Sequence, residues 1–144
     1  MKYTLNLDKK REEEIIIFAH EKNELIESIE KLVQNDSVNL IGYKGQQIFK
    51  LDLKDIFCFT VEDSKIYAIL EKEKLLVKQR LYSIEQMLDN GFVKINQSCI
   101  ANIKKIDHFD ASISGSLIVI FKNGYRDYVS RRQIKSVKER IGIK

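Results

Sequence analysis

The side chains best placed to do chemistry in this chain are amides, arginines and a few hydroxyls. In "FVKINQSCIANI", residues 92–103, the polar trio Asn96, Gln97 and Ser98 interrupts an apolar, strand-forming run. Arg131 and Arg132 directly follow Ser130, and Ser64 and Lys65 lie in a turn-like cluster after Glu62-Asp63. Such groups recognise rather than cleave. A carboxamide can pair in two places with adenine in a major groove, and a guanidinium can do so with guanine. Arginines behind a helix start also sit where free N–H groups favour an anion. Taken singly, each has a plainer reading: Gln97 as a turn residue, the arginines as solvated side chains.

Bond-breaking machinery is missing from the pattern. The six glycines are scattered singly at turns and make no phosphate-cradling loop. His20 and His108 are the only histidines, and Asp107 and Asp110 beside His108 bring no third metal ligand. No base can be placed beside Ser98 or Cys99. Cys58 and Cys99 sit in apolar runs and read as reduced, buried small hydrophobes; their spacing alone leaves a disulfide open. The expectation is a binding protein with no catalytic residue, cofactor or metal.

The totals agree. A chain of 144 residues, 44% hydrophobic and 32% charged, is long enough for one domain with an ordinary core. No apolar run could span a bilayer, and "MKYTLNLDKKREEE" lacks the basic-then-apolar order of a secretion signal, so the cytoplasm is expected. Charge is uneven. Residues 1–91 hold 14 Lys and Arg against 17 Asp and Glu, whereas residues 92–144 hold 11 against four. A basic C-terminal third on a slightly acidic body suits a polyanion, and equally an acidic protein or an anionic membrane.

Periodicity supplies the elements. "EEEIIIFAH" (12–20) predicts a first strand. Residues 22–34 predict a helix, with Leu25, Ile26, Ile29, Leu32 and Val33 forming an apolar stripe to be buried on the same chain or, as the alternative, across a dimer, and Asn35–Asp36 ending it. From residue 38 the period becomes two. "VNLIGY", "QQIFKLDL", "IFCFTV", "KIYAIL" and "LLVKQ" predict a meander of short antiparallel strands. Ser83 and Gln86 form a capping box for a short helix stopped by Asn90-Gly91. Asn123-Gly124 predicts a hairpin, and Ser130 with Gln133 caps a last helix that buries Ile134, Val137 and Ile141. Within this frame Arg126, Lys135, Lys138 and Arg140 extend the basic surface. The expected organisation is a strand–helix extension over 1–40 and a mainly β (α+β) domain over 41–144.

The ordered set "FVKINQSCIANIKKIDHF…LIVIFKNGYRDYVSRRQIKSVKERIG", with "DIFCFTVEDSKIYAIL" and "LYSIEQML" upstream, resembles the LytTR DNA-binding domain of bacterial transcription regulators over roughly residues 44–143. The resemblance implies stacked small antiparallel sheets that reach major grooves of double-stranded DNA with loops. It implies base contacts from Asn96, Gln97, Arg132 and Lys65. Phosphate or supporting contacts would come from Ser64, Ser98, Arg131, Arg126 and Lys135, and Asn102 would hold the loop structurally. It further implies a homodimer on direct-repeat half-sites and a small membrane protein as a restraining partner. Asn96-Gln97 stands where the family often has His followed by Arg or Asn, which removes a positive charge. Residues 1–40 are too short for the phosphoacceptor receiver that many members carry, so a stand-alone regulator is expected.

Overall fold

A computed structural model describes residues 2–34, 39–112 and 115–142. Helix α1 covers Glu24–Gln34, and the ten strands form two antiparallel sheets. The first sheet holds seven strands. They are β1 (Leu40–Lys44), β2 (Gln47–Leu51), β3 (Cys58–Glu62), β4 (Lys65–Ile69), β5 (Lys74–Val77), β6 (Phe92–Asn96) and β7 (Cys99–Asn102), in the order β2-β1-β5-β4-β3-β7-β6. The second holds β8 (Ile106–Asp110), β9 (Leu117–Phe121) and β10 (Arg126–Val129), in the order β10-β9-β8. Helices α2 (Leu81–Met87) and α3 (Ile134–Ile141) complete the fold.

Alternation along the central strands builds a core on each face of the first sheet. On one face Phe59, Ala68, Leu75 and Ile100 pack with Ile84 and Leu88 from α2 and its end. On the other, Cys58, Ile69, Val93, Cys99 and Ala101 pack with Val119, Phe121 and Val129 of the second sheet and Val137 of α3. Burying a side chain such as Phe59 contributes about 1.5–3 kcal/mol, so two such clusters outweigh the modest strand lengths. The second hairpin is also bolted to the first sheet by its turn. Gly124 takes φ +87, Asn123 Oδ1 accepts from Tyr125 N at 3.0 Å, and Asn123 Nδ2 donates to Leu70 O at 2.9 Å.

Five expectations need correction. Residues 12–20 form no strand: they pair with no strand of either sheet, and Ile15, Ile16 and Phe18 stay exposed. The stripe of α1 is only partly used, with Ile26 buried and Leu25, Leu32 and Val33 exposed, and the proposed stop at Asn35–Asp36 lies outside the described residues. Helix α2 starts at Leu81, since Leu81, Ile84 and Leu88 share one buried face, and Ser83 therefore lies inside it. Gly91 is not left-handed either: α2 ends earlier, and Gly91 N donates to Asp89 Oδ1 at 2.7 Å. Finally, no side chain caps α3. Ser130 contributes its carbonyl, which accepts from Gln133 N and Ile134 N, so Arg131 and Arg132 occupy the turn before the helix.

Candidate nucleic-acid interface

Three turns gather at one end of the two sheets. The first joins β3 to β4 through Asp63 and Ser64, both with positive φ (49° and 63°), the conformation of the tightest hairpins. The second joins β6 to β7 through Gln97 and Ser98. Because β3 and β7 are antiparallel neighbours, with Thr60 opposite Cys99, these turns emerge side by side, and Val61 N donates to Ser98 O at 2.9 Å. The third turn, Ser130–Gln133, links β10 to α3 and is tied in by Ser130 N donating to Ile95 O at 2.9 Å.

Asn96 fastens this arrangement. A β-bulge between Lys94 and Asn96 breaks the strand's alternation, so Ile95 and Asn96 are both buried. The Asn96 amide nitrogen donates to Asp127 Oδ1 (3.0 Å) and Tyr128 O (2.8 Å), and its Oδ1 accepts from Ser98 N (2.8 Å). A side chain 1% exposed, with its amide engaged at both ends, has nothing left for a base edge. The expectation that Asn96 reads bases is corrected here: it is the post on which the β6–β7 turn is mounted. Asn102, read as holding the same turn, sits at the far end of β7. There its Nδ2 donates to Ile56 O (2.8 Å) and its Oδ1 accepts from Lys104 N (3.2 Å).

What remains outward on this rim is Ser64, Lys65, Gln97, Ser98, Arg131 and Arg132, all exposed, with Lys135 on the first turn of α3. Lys65, Arg131, Arg132 and Lys135 form no ion pair among the described residues. Asp63 adds one carboxylate to the rim, so its net charge stays positive. Two basic residues fall elsewhere. Arg126 begins β10 opposite Ile120, toward the Asn123-Gly124 turn, about 10 Å of strand from Val129. Its charge helps hold the Asp110 carboxyl below its ordinary range, behind the larger effect of hydrogen bonds from Ser112. Arg140 is a clamp rather than open basic surface, since its Nη2 donates to Asn90 O (2.7 Å) and Phe92 O (2.8 Å).

The rim is thus a set of polar, cationic turn tips on a double-sheet frame. A family model, the LytTr DNA-binding domain, matches residues 46–142. Over 146 aligned residues, and 99% of both chains, the sequence is 32% identical to uncharacterized HTH-type transcriptional regulators of Staphylococcus aureus strains MSSA476, MW2 and NCTC 8325. A solved LytTr DNA-binding domain from Bacillus cereus superposes with a TM-score of 0.68 at 18% identity, covering 73% of this chain and 98% of that one. The chain belongs to the LytTR family, and with it to the DNA-binding regulators rather than the enzymes. Its three helices are all separated by strands, so no helix-turn-helix forms among the described residues. No helix of the described residues is long and apolar enough to cross a membrane.

Proposed function

We propose that this protein is a cytoplasmic, sequence-specific transcription regulator that presents its three-turn rim to double-stranded DNA. The observation that carries this reading is the linkage of the turns through Val61 N–Ser98 O and Asn96–Tyr128 O, which makes one surface of three separate segments. Gln97, Arg132 and Lys65 contact base edges in the major groove. Ser64, Ser98, Arg131 and Lys135 meet phosphates and set the register. Arg126 lies too far back on β10 for the same groove and adds only to the general field. Two copies occupy half-sites repeated in the same direction.

Selection of bound sequences from a random pool, followed by titration of Arg132→Ala on the selected site and on random DNA, tests the reading. The expected result is a recurring half-site and a loss of about 1–3 kcal/mol confined to one base position. A purely salt-driven affinity with no preferred sequence would instead fit a basic face that docks an acidic protein or membrane.

A further inference from the structure

We infer that residues 12–18 are a docking strand, and that they pair with the open edge of β2 in a second copy of this chain. The starting point is where apolar surface lies. Of the thirteen large hydrophobic side chains exposed among the described residues, ten precede residue 34. Within them Ile15, Ile16, Ile17 and Phe18 form a β-branched and aromatic run with no partner; Ile16 is 64% and Phe18 94% exposed. A run of this composition gains most from a sheet edge.

The described residues have four sheet edges, and among these only β2 fits. At β6 the outward carbonyls are taken, Phe92 O by Arg140 and Ile95 O by Ser130 N. β10 faces β6, with Tyr128 O held by Asn96. β8 carries Asp107 and Asp110, which would repel Glu12, Glu13 and Glu14. Among the described residues β2 has no backbone neighbour beyond β1, and it displays Ile48, 68% exposed, beside Lys50, which forms no ion pair. Edges of this kind invite pairing unless they are covered.

Spacing then fixes the register. Ile48 and Lys50 are two residues apart and share the outer face of β2, since Phe49 and Leu51 turn to the core. Glu14 and Ile16 are also two apart. Laid antiparallel, Ile16 falls opposite Ile48 and Glu14 opposite Lys50, while Ile15 extends the core face beside Phe49. Glu14 gives up only an exposed pair with Arg11. A one-way contact of arm on edge repeats head to tail, as half-sites of one direction require. In this the inference deepens the pairing proposed above and rests on it.

The test is sedimentation equilibrium of the full chain without DNA. Wild type is expected to self-associate, and Ile16→Asp and Ile48→Asp each to be monomeric with unchanged circular dichroism. Mixing the two variants re-forms association, because one keeps the edge and the other the arm. A monomeric wild type, variants that associate like wild type, or a mixture that stays monomeric would each overturn the inference. Binding of a single half-site by both variants separates this result from a failure of DNA recognition itself.

Discussion

The Asn96 amide donates to the Asp127 carboxylate at 3.0 Å, and this bond joins the end of β6 in one sheet to β10 in the other. Asp127 also accepts from Tyr128 N at 2.8 Å, so the carboxylate is held while it holds. Replacing Asn96 by Ala leaves Tyr128 O and Ser98 N without their partner in a part-buried place. Stability should fall by about 2–3 kcal/mol in urea unfolding. Gln97→Ala, one residue on but exposed, should change stability by less than about 0.5 kcal/mol and reduce affinity for the selected DNA. Equal stability losses for the two would contradict the division of labour between post and tip.

Phosphate and base contacts should separate by salt. Arg131→Ala and Lys135→Ala are expected to weaken binding alike on specific and random DNA and to lower the slope of log affinity against log salt by about one each. Arg126→Ala, set back on β10, should leave that slope nearly unchanged. A slope change for Arg126 as large as that for Arg131 would place DNA further along β10 than the three turns do.

The short strands, the hairpin turns and the loop-forming tips were legible because each is a local signal: a two-residue period, a glycine or Asx at a turn, a basic pair behind a serine. Asn96 was misread for a physical reason. Strict alternation puts it opposite Ile95 and therefore outward, and the bulge that buries both is not encoded in either residue type. The same holds for Arg140, whose commitment to Asn90 O and Phe92 O joins residues 48 and more positions apart. At residues 12–20 composition announced a strand correctly in propensity, but a strand exists only where a sheet edge receives it.

Close packing at Gly42 gives a third expectation. A Cβ there would lie 2.8 Å from Leu75 Cβ and 3.2 Å from Leu51 Cδ1, both core side chains, and the nearer contact is too close to the backbone to swing aside. Gly42→Ala should therefore cost about 1–3 kcal/mol through overpacking between β1 and β5. If thermal unfolding showed Gly42→Ala equal to or more stable than wild type, these strands would have to be able to separate without loss.

Alkaline pH offers the last test, through Cys99. Its thiol is pushed up by hydrogen bonding to the Cys58 thiol and by burial, and both groups are free and interior. The sign follows from proton binding. In the unfolded chain this thiol ionises near pH 8.5, whereas the folded protein keeps the proton, so stability is intact below about pH 8.5 and is lost as pH climbs past it. The loss is about 1.4 kcal/mol per pH unit, or roughly 2 kcal/mol by pH 10. Tyr125, pushed up to about 12 chiefly by burial, adds a similar loss above pH 10 that wild type and variant share. Urea unfolding at pH 7 and pH 10 should thus show wild type losing about 2 kcal/mol more than Cys99→Ala. Equal losses would mean that Cys99 ionises in the folded protein as readily as in the unfolded one, and that the interface between the two sheets admits water.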